Sequence, residues 1–579
     1  MDFIRTTTLG QVLHHASGRR WLRNADESDV SILATYVDRE ASKNLARWGS
    51  ISSRHDLPYT DGTSSFYEEP RINIASGAII HEKHGKDIFL VKFTEQDSEN
   101  PRNWSTRKRA FVTAVICFYT TSVYIGSSLW SSMVHSVVEE FSVAQVIAQL
   151  GTSLFLLGLG IGPMFFSPLA EIPRIGMNNI YLLTNLLFVL CQLPILHSNN
   201  LSTMLVFRFI TGILASPCLA QGGASIKAMY SARDMGIPMA IWDTATAVAT
   251  FSGPIMGNYA AEYRGYLWPM WISFWFSAAG LLSIVSFLPE TSPDNILYRR
   301  ARRLRVLTGN NKFVSTSELA NSNSTFASIA KDSLIKPLSI SFKEPVVLVL
   351  NSYLALVYSL LFAALESYSV IFIDIYGFSP PHEGLTFLGG LTGSLLALAV
   401  YAVFYHFYQQ KLFSSDDKIK PEERLLPAFV SAFLVPIGLL WFGWSARPDV
   451  HWIMPVIGGA FIGPSSAGLF FAIMNYLPDA YPTVSSSVLA GMDDPHFLTS
   501  FSLLLCANLI FFVIGNSLMR SVPAAALPLF ITPMYKGLGP GWASTVWAVL
   551  GCLFAPAPFL LYRYGGRIRL KSPRARHDF

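Results

Sequence analysis

Charge is what this chain has least of: Asp, Glu, Lys and Arg make up 14% of its 579 residues, against about 25% in an ordinary soluble domain. With 51% hydrophobic residues and a mean hydropathy of +0.38, that scarcity points to a membrane protein. Cysteine is scarce too. All five cysteines (Cys117, Cys191, Cys218, Cys506 and Cys552) lie inside apolar runs with no C-x-x-C pair among them, so neither a disulfide framework nor a zinc site is expected. No apolar stretch opens the chain as a signal peptide would, which leaves targeting to the first span. Neither a Walker lysine motif nor a nucleophile elbow occurs, "HEKHG" lacks the H-E-x-x-H spacing, and "GLGIGP" sits within an apolar run with no strand before it. ATP-driven transport and hydrolytic chemistry therefore find no support, no metal site is expected, and the chain is not expected to be an enzyme.

What is present is repeated apolar runs of the length that crosses about 30 Å of hydrocarbon. They fall at 109–130, 146–168, 180–197, 202–224, 237–260 and 267–288, then at 346–375, 384–405, 427–444, 452–475, a broken run from near 484, and 543–562. Residues 1–105 read as a polar, largely disordered tail, 106–288 as one six-helix half, 289–345 as a linker, 346–562 as a second half and 563–579 as a basic tail. The basic clusters "RRARRLR" and "RYGGRIRLKSPRAR" flank spans, so they read as topological signals rather than a nucleic-acid surface. They put both termini and the linker in the cytoplasm. An all-α polytopic membrane protein with a basic central linker has the layout of transporters whose substrate is held between two halves near the midplane.

A charge inside a span is a functional candidate by default, because it costs several kcal/mol unless paired or hydrated. Three stand out: Arg208 in "RFITGILASP", Glu366 in "LLFAALESYSVIF" and Asp243 in "MAIWDTATAVA". For Arg208 the alternative is snorkelling to the surface; for each acid it is a structural hydrogen bond. A carboxyl group withdrawn from water titrates nearer neutrality than an exposed one, which suits a group that must take up and release a proton. Glu366 is the first choice for that role and Asp243 the second. Tyr119, Tyr124, Trp130, Tyr353, Tyr368, Phe372, Trp441 and Trp444 are candidates for the wall of an amphipathic cavity, with interfacial belts as the alternative.

"TFSGPIMGNY" places a Gly-Pro pair and a second glycine within an apolar run, where a soluble helix would break. Gly253, Pro254 and Gly257 resemble the G-P-x-x-G antiporter motif of the major facilitator superfamily, and Arg208 followed by Gly212 resembles its fourth-span motif. "FTEQDSENPRNWS", "LPETSPDNILYRRARRLR", "IYGFS", "PEERLLPA", "GLLWFGWSA", "NYLPDAYP" and the run Gly539–Arg569 resemble the twelve-span fungal drug:proton antiporter group over about residues 90–570. The resemblance implies a major facilitator fold of two six-helix halves around a central cavity. It links Arg208 to proton coupling and makes the Gly253–Gly257 stretch a kinked face on which the halves close. One motif departs: "PLAEIPRIGMNN" keeps Glu171 and Gly176 of the family's gate loop, but Met177 stands where the first arginine belongs, leaving Arg174 as a partial substitute.

The implied function is proton-coupled efflux of drugs, toxins or secondary metabolites by alternating access. The expected partners are a small amphipathic or cationic substrate, protons and the lipid bilayer, with no nucleic acid, no cofactor beyond the proton gradient and a monomeric state. The plasma membrane is the expected site and the vacuolar membrane the alternative. Two rivals remain: a proton-coupled importer of a nutrient or polyamine, and a transport-inactive sensor or misfolded product. The last arises from Gly491–Gly515, an apolar segment that would add a thirteenth crossing or a hairpin and send the basic C-terminus outside. Removing it joins "SSSVLAG" to "NSLMRSVPAAALPLF" as a continuous eleventh span, and its ends are compatible with a retained intron.

Overall fold

The computed structural model describes residues 6–17, 79–83, 86–94, 96–321, 344–413, 419–480 and 497–569. Among the described residues, ten helical segments are long and apolar enough to cross a membrane. Numbered as spans, they are 1 (Thr106–Phe141), 2 (Gln145–Glu171), 3 (Met177–His197), 4 (Leu201–Met229), 6 (Trp268–Phe287), 7 (Val346–Ile375), 8 (Pro380–Leu412), 9 (Pro421–Ser445), 10 (Ile453–Leu477) and 12 (Pro540–Ile568). Two further long helices, Gly236–Arg264 and Phe497–Leu538, take places 5 and 11.

Small residues let these helices touch backbone to backbone, the usual means of association where lipid removes the hydrophobic drive. In the first half, a Cβ at Gly212 of span 4 would lie 2.2 Å from the Phe155 carbonyl oxygen of span 2, and one at Gly158 of span 2 would lie 2.4 Å from that of Phe209. The second half repeats the device between spans 8 and 10, where a Cβ at Gly393 would meet the Ala460 carbonyl at 2.2 Å. Spans 2 and 4 of one half thus correspond to 8 and 10 of the other, an internal repeat visible in packing.

The halves meet along two seams. Span 2 lies on span 11, with Gly160 against Ser521, and span 5 lies on span 8, with Gly390 against Phe251. Span 11 is one helix of 42 residues, about 63 Å at the α-helical rise and roughly twice the hydrocarbon thickness. Residues 497–515 run straight into the eleventh span, so the expected hairpin or separate thirteenth crossing does not form in that stretch. The first part of the segment, 491–496, lies outside the described residues.

The charges flanking the first half take part in a folded module. Strands β1 (Ile79–Lys83) and β2 (Lys86–Val91) pair antiparallel, and β3 (Phe313–Ser315) joins β2 in parallel, Phe89 opposite Phe313. Under them packs the linker helix Pro293–Thr308, with Leu297, Ala301 and Leu304 buried against Val91 and Phe313. Arg300 on this helix grips both Asp97 and Glu99, donating from Nη2 at 2.9 and 2.8 Å respectively, and Arg303 adds a contact to Glu99 at 3.1 Å. Part of the expected tail and part of the expected linker are therefore one small module; residues 18–78 lie outside the described residues. Because the module ties the start of span 1 to the end of span 6, both lie at the same face of the bundle, here called the linker end.

Candidate functional site

Arg208 is buried and turned inward, so the snorkelling alternative does not apply. Its Nε donates to the Gly151 carbonyl of span 2 at 3.1 Å, and its guanidinium lies over the rings of Phe155 and Trp130 at 4.5 and 5.2 Å. Trp130 is fixed in turn by donating from Nε1 to the Ala148 carbonyl at 2.8 Å. Neither Glu366 nor Asp243 bonds to Arg208; the arginine braces span 2 between residues 148 and 151.

Gln149 belongs to that same stretch and carries the connection onward. Its Nε2 donates to Glu366 Oε2 and to Thr532 Oγ1, both at 2.9 Å, joining spans 2, 7 and 11. Glu366 Oε1 is buried without a hydrogen-bond partner, an arrangement that costs free energy in a finished core and suits a site that receives a proton.

The antiporter glycines face their own half. A Cβ at Gly253 or Gly257 would meet Ser128 Oγ at 2.0 Å or Ser132 Oγ at 2.5 Å, both on span 1. Contact with the second half falls to their neighbours: the Pro254 carbonyl lies against Gly384, and Asn258 Nδ2 donates to Glu383 Oε2 at 3.3 Å. Glu383 is 4% exposed and also accepts from Ser369 Oγ at 2.6 Å. No sequence reading singled out this acid. It closes the far end of the bundle, while Tyr405 Oη donating to the Arg233 carbonyl at 2.7 Å joins the halves at the linker end.

Between these closures lies a small cavity on the seam of the two halves. Asp243 and Trp242 of span 5, Tyr124 of span 1, Tyr358 of span 7, Phe470 of span 10 and Arg520 of span 11 line it. The hydroxyls of Tyr124 and Tyr358 share a hydrogen bond across the two halves. Asp243 therefore stands apart from Glu366 and faces the cavity with Arg520. Of the remaining candidate aromatics, Trp130 serves Arg208, Tyr368 and Phe372 belong to a ring cluster in the second half, and Trp441 and Trp444 are exposed.

The gate loop is latched by a different group from the one expected. Arg174 is exposed and makes no ion pair among the described residues, so it does not replace the missing arginine. Instead Glu290, just past span 6, accepts from the backbone N–H groups of Met177 and Asn178 at 3.2 and 3.3 Å, a carboxylate seated on the N-terminus of span 3. Gly176 is required there twice over: its φ is +77°, and a Cβ would stand 2.5 Å from Glu290 Oε2. Asn295 holds the loop from the other side through the Pro173 carbonyl at 2.6 Å. Glu171 lies half-buried at the end of span 2.

Burial pushes the Glu290 carboxyl above the ordinary carboxylate range, outweighing Arg299 at 3.9 Å and the N–H donors. The folded loop thus binds this proton more tightly than the unfolded chain does. Its stability is fullest at acid pH and declines as pH rises from the ordinary carboxylate value through the raised one. Hydrogen exchange at 176–179, corrected for intrinsic rates, is expected to speed up across that window and to lose the trend in Glu290→Gln. Protection that grows with pH would reverse the assignment.

The Major Facilitator Superfamily profile matches residues 115–493. The chain is 34% identical to "Transporter mfs1" of Schizosaccharomyces pombe over 99% of its own length and 100% of that protein's. It is 32% identical to "Multidrug transporter FLR2" of Candida glabrata over 96% and 91% of the respective lengths. Among solved structures, the proton:xylose symporter XylE matches 80% of the chain and 96% of its own with a TM-score of 0.54 at 12% identity, a likeness of fold.

Proposed function

Since the chain belongs to the major facilitator superfamily, we propose that it exports drug-like or secondary-metabolite molecules against a proton gradient by alternating access. The observation that carries this reading is the cavity on the seam of the two halves, walled by rings and charge and bridged at both ends by contacts that alternate states could break one at a time. The printed name of the Candida glabrata relative, a multidrug transporter, supports drug-like molecules as the substrate class.

In this mechanism the linker end is cytoplasmic. A small amphipathic molecule enters the cavity when the Tyr405–Arg233 contact opens, and leaves when the Asn258–Glu383 contact opens. Protons arriving from the far side meet Glu383 first and Glu366 next, two acids in electrostatic reach of one another. A proton on either acid changes which seam contacts are favourable, and only such differential binding can shift the equilibrium between states. Arg208 acts by holding the stretch of span 2 that presents Gln149 to Glu366. The chain works as a monomer in the plasma membrane. Residues 491–515 are a retained intron product, and transcript sequencing with a dominant message containing them would sink that part.

The test is accumulation of a panel of drugs, polyamines and metabolites in pump-depleted yeast, with and without protonophore, for the full chain and for the chain lacking 491–515. Protonophore-sensitive depletion is expected; inward flux under an imposed pH gradient would identify an importer instead. Gly257→Val, which drives side-chain atoms into Ser132 and Leu129 of span 1, is expected to reduce efflux severalfold with surface expression retained.

A further inference from the structure

We propose that the cavity recognises an anionic group on its substrate, a carboxylate beside an apolar or aromatic ring, and that Arg520 is the group that binds it. This deepens the export reading by naming a substrate class.

Arg520 is 4% exposed, yet it forms no hydrogen bond or ion pair with any described residue, and its Nε is buried without a partner. What holds it is aromatic: the guanidinium lies 4.4 Å from the centre of the Tyr358 ring and 5.5 Å from that of Phe470. Such contacts offset only part of what withdrawing a charge from water costs. A buried cation so poorly compensated is a site awaiting an anion. With rings over its faces, the donors that remain are at its edge, and Arg520 lines the cavity. Guanidinium binds carboxylate through two parallel N–H bonds, whereas an amide or ester offers no charge to match.

Asp243 is the acid that competes for this role. It lines the same cavity and feels the field of Arg520, but no ion pair joins them, although both side chains are described. The proton-handling acids Glu366 and Glu383 lie nearer the far end, so an anion at Arg520 and a proton at Glu366 occupy separate places. The rings of Tyr358, Phe470 and Trp242 supply the apolar surface against which the body of the substrate rests.

The experiment measures binding of three acids, benzoate, 2-naphthoate and octanoate, each against its own primary amide, to the purified full chain. Wild type is expected to favour at least one acid over its amide by about tenfold or more, the range for a charge-assisted pair. In Arg520→Gln that ratio falls to near one, in Arg520→Lys it is partly kept, and in Asp243→Asn it grows. No acid preference in wild type, or a ratio unchanged in a folded Arg520→Gln, overturns the proposal. Because the readout is binding, protonophore-sensitive export of other compounds stands or falls separately.

Discussion

Cells expressing Gly212→Val are expected to show no export and less than a tenth of the wild-type yield of monodisperse protein. The added Cβ would sit 2.2 Å from the Phe155 carbonyl oxygen and 2.9 Å from the Phe155 carbonyl carbon, all backbone, so no rotamer change relieves it. Overpacking costs about 1–3 kcal/mol where side chains can yield, and here the helix itself must move. Moving span 2 displaces Gly151, which accepts from Arg208, and Gln149, which serves Glu366, so the damage reaches both the packing and the coupling network. Gly537→Ala is the matched control, since nothing lies within 4 Å of a Cβ there. The yield is read by fluorescence-detected size exclusion. A sharp, abundant Gly212→Val peak would mean that spans 2 and 4 are not in contact at this point.

Glu366→Gln should leave the fold intact and abolish uphill transport. The amide oxygen still accepts from Gln149, so the bridge from span 2 to span 7 survives, but the group no longer carries a dissociable proton. Protonophore-sensitive depletion is expected to fall at least tenfold, while energy-independent exchange of labelled for unlabelled substrate continues. That split separates a proton carrier from a residue that merely packs. Undiminished coupling in Glu366→Gln would falsify the role, and transfer of the defect to Glu383→Gln would move it one span along.

The parts of this machinery that could be read from the sequence are those that contradict their surroundings. Arg208, Glu366 and Asp243 are charges in apolar runs, and the Gly253–Gly257 stretch is a helix breaker where a helix must be. Glu383 escapes because "SPPHEGL" reads as a polar loop; it becomes buried only when span 5 covers it. Arg520 lies in "NSLMRSVPAAALPLF" of the eleventh span, but its setting comes from Tyr358 of span 7 and Phe470 of span 10, which only the fold brings to it. Gln149 carries no charge to flag it, and its importance lies wholly in what spans 7 and 11 bring to it. Arg174 misled for the opposite reason: proximity in sequence to Glu171 and Gly176 suggested a latch, whereas the latch comes from Glu290, more than a hundred residues away.

The clasp between Arg300 and Asp97 spans 203 positions of chain. During synthesis at about 5–20 residues per second, the acidic side waits on the order of 10–40 seconds for its arginine. It can close only if an even number of crossings has been made in the interval, since otherwise the two sides lie across the bilayer from one another. The pairing is therefore compatible only with an even number of crossings between its two sides, and it can form once the sixth crossing ends, with no need of the second half of the protein.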